Sequence, residues 1–222
     1  MLEIACFNFD SAVGAAGGGA DRIELCTNYT AGGLTPSLDT LHQIRKETTK
    51  PVNVMIRPRA GDFLYSYGEF EQMKRDIHTF GAEASGFVFG ILDEHNRVDE
   101  VRNGELVKLA APLPCTFHRA FDQLVDMPTA IEQLVTCGFR AILTSGGPSD
   151  AVTGASTVAQ LQKDYGHVIT IIIGGGVRSS NVGVLKEKTG VQWYHSAAIL
   201  GHGEMVDVGE VERLQAQLIT MA

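Results

Sequence analysis

A strand-then-helix unit occurs eight times along these 222 residues, about 28 residues to the unit, and that repeat leaves few folds open. Apolar runs of strand length open the units at Leu2–Asn8, Asp21–Thr27, Pro51–Pro58, Gly86–Asp93, Cys115–Asp122, Arg140–Gly147, Val168–Val177 and Val191–Ile199. Helical segments close them at Ser11–Gly19, Leu38–Thr48, Glu69–Gly81, Gly104–Ala111, Met127–Gly138, Ala155–Tyr165, Ser179–Lys188 and Val208–Ile219. Phe70, Met73, Ile77 and Phe80, for example, recur at helical spacing. Either Thr35 or Ser37, flanking Pro36, offers a side-chain oxygen to cap the helix that follows. Eight such units predict an α/β chain folded as one (β/α)8 TIM barrel, a single domain over residues 1–222. The rival, an open doubly wound sheet, would carry G-x-G-x-x-G after its first strand, and none is present.

Charge and apolar run lengths narrow the partners. The net charge is −8 with no Lys/Arg-rich run, which predicts no nucleic-acid partner. The opening MLEIACFNFD is no signal peptide, and no apolar stretch approaches the ~20 residues of a membrane span, so a cytoplasmic protein with no membrane partner is expected. The four cysteines form no C-x-x-C pair and read as free thiols.

A barrel puts its chemistry at the C-terminal ends of the strands. Alternation assigns Cys6 and Asn8 to the inner face of the first strand, and Glu24 and Cys26 to that of the second. Asn53, Met55 and Arg57 follow on the third, Thr116 and His118 on the fifth, and Thr144 on the sixth, with Leu143 turned to the helices. In the run CTFHRAFD, Asp122 shares the face of His118, but four strand residues separate them by roughly 13 Å. Partners for His118 must therefore come from neighbouring strands. A lining this polar departs from the Val, Ile and Leu of a purely structural barrel, and Glu24, Arg57 and His118 are expected to compensate one another directly or through a ligand.

The blocks GGADRIELC (18–26), GGLTPS (32–37), MIRPRAGDFLYS (55–66), TFHRAFD (116–122), ILTSGG (142–147), GGGV (174–177) and HSA (195–197) together resemble the CutC copper-homeostasis family. The resemblance implies a cytoplasmic TIM barrel, a homo-oligomer (dimer or tetramer), and a link to copper handling with Cu(I) as the bound ion. Position by position, it makes Cys6 and Cys26 the metal ligands and puts Glu24, Arg57, His118, Arg119 and Asp122 at the polar mouth. The segment Gly201–Asp207 is short beside many bacterial members.

Two functions of different class are open. In one the protein binds Cu(I), a soft ion suited to thiolates, through Cys6 and Cys26, with Met55 as a further soft donor; free cysteines also serve as small core hydrophobes. In the other it is an enzyme of isomerase or lyase type acting on a small anionic or phosphorylated metabolite. Glu24, Arg57, His118 and Asp122 would then be catalytic, with Glu24 and His118 moving protons. Arg57, Arg59, Arg119 and the loop Gly174, Gly175 and Gly176 would bind the anion. His195 and Ser196, being adjacent, form no nucleophile–base pair along their strand, and no G-x-S-x-G or H-E-x-x-H is present.

Overall fold

The computed structural model describes residues 1–147 and 150–220. Eight parallel strands close on themselves in sequence order, β1 (Leu2–Cys6), β2 (Arg22–Leu25), β3 (Val52–Met55), β4 (Gly86–Phe89), β5 (Cys115–Phe117), β6 (Ala141–Thr144), β7 (Thr170–Ile173) and β8 (Trp193–Ser196), with β8 pairing back to β1. Eight helices surround them: α1 (Phe9–Gly17), α2 (Leu38–Glu47), α3 (Tyr67–Phe80), α4 (Glu100–Ala110), α5 (Met127–Cys137), α6 (Ala155–Tyr165), α7 (Val182–Thr189) and α8 (Val208–Thr220). This is the (β/α)8 barrel that the repeat predicts.

Local chemistry sets the helix starts. Ser37 rather than Thr35 caps α2, its Oγ accepting from the N–H of Thr40 at 3.1 Å. Thr35 instead accepts the backbone N–H of Arg57 at 2.8 Å, tying two loops together above the barrel. Helix α3 begins at Tyr67, two residues earlier than its apolar stripe suggests, because Ser66 and Glu69 form a reciprocal capping box. Helix α4 likewise starts at Glu100, where Asp99 accepts the N–H of Arg102, and it carries Gly104 within its length.

The main core lies between sheet and helices. Ile23, Leu25, Val52, Val54, Phe87, Phe89 and Phe117 are fully shielded there. Each contributes on the order of 2 kcal/mol through apolar burial. Two smaller clusters fill the barrel itself. Ala141, Leu143 and Ile172 form one, and Ala5, Phe7, Cys26, Met55, Val88 and Ile199 form the other.

The register corrects two assignments of face. Cys6 pairs with Leu25 and belongs to the helix-facing core, whereas Ala5 pairs with the inward Glu24. In β6 it is Leu143 that points inward, and Thr144 turns away to donate to Asp122. Both strands are buried on both faces, so polarity alone carries no parity signal there. Asn8 is no wall residue either; it caps α1 by accepting from the N–H of Ser11.

Candidate functional site

Strands β3, β5 and β7 end at Met55, Phe117 and Ile173, and Arg57, Arg119 and Arg178 follow them closely. All three arginines line one cavity of about 250 Å³ at the C-terminal mouth. Glu24 of β2 and His195 of β8 line it from within the strands, and Phe7, Phe63 and His118 complete much of its wall. The cavity is therefore cationic at the rim and carries a carboxylate–imidazole cluster deeper down.

In that cluster the Nδ1 of His195 is 2.8 Å from Oε1 of Glu3 and 3.5 Å from Oε2 of Glu24. Glu3 also accepts from Nε of Arg22 at 2.5 Å, and the Arg22 guanidinium lies 4.0 Å from the centroid of the Trp193 ring. Burial would raise the Glu3 carboxyl, but Arg22 and His195 together hold it below the usual range. Burial pushes the Glu24 carboxyl up, opposed by His195 and reinforced by Glu3. For His195, burial would lower the imidazole, yet the two carboxylates outweigh it and raise it. Glu24 and His195 thus both hold a proton more readily than the free side chains do. Glu3, Glu24 and His195 offer ligand atoms within 4.8 Å of one another, but the Arg22 charge already sits against Glu3.

The strand of CTFHRAFD stops at Phe117, and residues Arg119–Gln123 make a 3-10 turn that His118 caps. His118 Nδ1 accepts the N–H of Ala120 at 3.3 Å, while Nε2 is buried with no hydrogen-bond partner. Its ring packs against Phe63 at 4.7 Å between centroids, the two planes tilted by 55°. Gly90 makes room for it, since a Cβ there would lie 2.8 Å from Nδ1. Burial, reinforced by the Arg57 charge, pushes the His118 pKa down to about 3. The imidazole is neutral at physiological pH.

The same turn brings Arg119 into the cavity wall and withdraws Asp122. Asp122 accepts from Thr144 Oγ1, Ser145 N and Oγ, and Arg119 Nε, so it buttresses Arg119 and does not share a strand face with His118. Arg57 donates through its fork to the carbonyls of Ala31, Gly33 and Gly61, which leaves Nε buried and unpartnered. Its guanidinium also lies 4.9 Å from the Phe63 centroid. Arg59 is spent on Asp62, Glu69 and loop carbonyls and is absent from the cavity wall. Gly175 and Gly176 line the cavity with φ of 96° and 78°, a left-handed backbone that glycine adopts freely. The Arg119 guanidinium packs so close to Gly175 that a Cβ would come within 3.2 Å of it. Gly174 belongs to the ladder instead, donating to the carbonyl of Thr144.

Glu24, Arg57 and His118 thus line one cavity, but no direct hydrogen bond joins any two of them among the described residues. The sequence reading missed Arg178, which donates to Ser196 and to the carbonyls of Val177 and Ile199, and it missed the place of His195. The parity of WYHS, with Trp193 and His195 on one face, was the available signal for His195.

A Cu(I) site shared by two thiolates does not fit this arrangement. Cys6 lies on the helix side of β1, its Sγ toward the carbonyl of Ile4, while Cys26 lines the cavity and donates to Glu24 Oε1 at 3.4 Å. Burial, and then the Glu24 charge, push both thiols far above the range in which they ionise.

Residues 1–200 match the model of the CutC family. The human copper homeostasis protein cutC homolog is 42% identical over 201 residues, covering 89% of this chain and 73% of that protein. A family protein CutC from Mesorhizobium japonicum is 40% identical, covering 90% and 78%. The crystal structure of a CutC protein from Streptococcus agalactiae superposes with a TM-score of 0.84 at 31% identity, covering 89% of this chain and 98% of that one. Phosphoribosyl anthranilate isomerase from Thermotoga maritima, at 13% identity and a TM-score of 0.68 over 99% and 98%, shares the barrel fold.

Proposed function

The chain belongs to the CutC family, and we propose that its barrel cavity binds a small anionic metabolite and works on it by acid–base chemistry. The observation that carries this reading is the polarity of one cavity: Arg57, Arg119 and Arg178 at the rim, Glu24 and His195 below them. A bound anion sits where the guanidinium charges and glycine-freed N–H groups favour negative charge. The reacting part of the molecule then lies over the carboxylate–imidazole cluster, where Glu24 and His195 both hold a proton more readily than the free side chains do and can take or give one in general acid–base work. The volume of about 250 Å³ fits a small metabolite rather than a polymer.

Calorimetric titration with inorganic phosphate tests the anion site. Phosphate binds the parent, Arg178→Met weakens it about tenfold by removing a charged donor, and Arg59→Met leaves it unchanged because Arg59 lies outside the cavity wall. No binding to the parent, or equal affinity in Arg178→Met, overturns the reading.

A copper role, carried in the names of the human and mouse relatives, has one specific support in this chain. Cys26 and Met55 belong to the same apolar cluster inside the barrel and are both soft donors. Such a site would use one thiolate, not two.

A further inference from the structure

Resting on the anion-binding reading, we infer that the substrate is a carbonyl compound, with Glu24 as the base that removes a proton beside the carbonyl and His118 as the neutral donor that holds its oxygen. One observation of geometry carries this. Among the described residues lining the cavity, the side-chain polar atoms buried without a hydrogen-bond partner are Glu24 Oε2, His118 Nε2 and Arg57 Nε. The first is an acceptor and the other two are donors.

The tautomer of His118 follows from its contacts. Nδ1 accepts the N–H of Ala120, so the ring proton is on Nε2. The ring is fixed by Phe63 on one side and by the space over Gly90 on another. A neutral imidazole N–H polarises a carbonyl without first giving up its proton, and a buried carboxylate of raised basicity is the complementary base. Glu24 Oε1 is engaged by the Cys26 thiol, which leaves Oε2 for the substrate, with His195 3.5 Å away to orient it. Arg57 Nε is a second donor, and the Tyr65 hydroxyl is the protein group placed to compete for that guanidinium.

The step balances within the site. Glu24 takes the proton from the carbon next to the carbonyl, and the C–H pair becomes the new C=C bond. The C=O pair moves onto oxygen, and the enolate oxygen is held by His118 Nε2–H. Return of the proton to carbon regenerates a carbonyl compound, so neither oxidant nor co-reactant is consumed.

Acetohydroxamate is a planar mimic of such an enolate and is the probe, used with the full chain in excess EDTA. Titration followed by ¹⁵N NMR is expected to move the Nε2 signal of His118. The affinity is expected to fall about tenfold in His118→Phe, which keeps a ring against Phe63 but loses the donor, and to recover in part in His118→Gln, which restores an N–H. Glu24→Gln should lose a similar factor. Inorganic phosphate, titrated in parallel, should bind all of these as it binds the parent, which also reports that each is folded. Acetohydroxamate that binds without moving His118, or binds His118→Phe or Glu24→Gln as well as the parent, overturns the inference. A parent that binds phosphate but not acetohydroxamate overturns it while leaving the anion site standing; a parent that binds neither removes both.

Discussion

The Asp122 carboxylate accepts the Nε–H of Arg119 at 2.7 Å, three residues back along a 3-10 turn, and through that contact sets one wall of the cavity. Asp122 also accepts from Thr144 Oγ1 at 2.5 Å and from Ser145 Oγ at 2.9 Å. Each of these contacts is internal to the protein, so the carboxylate is a strut. Asp122→Ala strands several buried donors, and breaking such a network costs about 3–5 kcal/mol. Urea unfolding of the variant should show that loss; a change below 1 kcal/mol would mean the network carries little of the stability.

Gly90 and His118 are coupled by space. A Cβ at position 90 would stand 2.8 Å from His118 Nδ1 and 2.9 Å from a Phe117 ring carbon, with both rings buried. Gly90→Ala therefore forces a shift in a packed region, at about 1–3 kcal/mol. Its crystal structure should show the imidazole displaced toward the cavity and the Ala120 N–H contact lengthened. An unmoved ring would remove Gly90 as the reason for its seat.

How much of this was legible in the sequence depended on whether a strand has one polar face. In β2 the charges of Arg22 and Glu24 alternate with Ile23 and Leu25, so parity, and with it the inward place of Glu24, was readable. In LEIAC and AILT nearly every residue is apolar and all are buried, so Cys6 and Leu143 were assigned to the wrong faces. The cluster of Glu3 and His195 joins residues 192 apart, brought together only by barrel closure. Arg57 was placed correctly in the cavity, but its fork is occupied by carbonyls of two loops, which no spacing rule reveals. The end of β5 at Phe117 decided the rest, because it turned Arg119 inward and took Asp122 out of line with His118.

The faces of Cys6 and Cys26 lead to an asymmetric prediction for copper. Cys6 sits among helix-facing apolar side chains, and Cys26 lies in the cavity beside Met55. In competition titration against a Cu(I) chelator, Cys6→Ser should leave the affinity within about twofold, whereas Cys26→Ser should lower it more than tenfold, the loss of a soft ligand. Equal losses in the two variants would sink the one-thiolate site and restore the pair.

The pH dependence of stability should carry the signature of His118. Its folded pKa is pushed down to about 3 by burial and then by Arg57, against an ordinary value of 6.5. Below pH 6.5 the unfolded chain takes up a proton that the folded chain refuses, so stability falls as pH drops, by up to about 1.4 kcal/mol per pH unit. Between pH 6.5 and pH 4.5 that amounts to about 2–3 kcal/mol. Other groups titrate in this window, so the comparison is with His118→Gln, which lacks the ionisation. Urea unfolding at pH 7.5, 6.5, 5.5 and 4.5 should show the parent losing stability faster than the variant, and only below pH 6.5. Parallel curves for the two proteins would mean that the folded His118 is free to protonate and cannot serve as a permanently neutral donor.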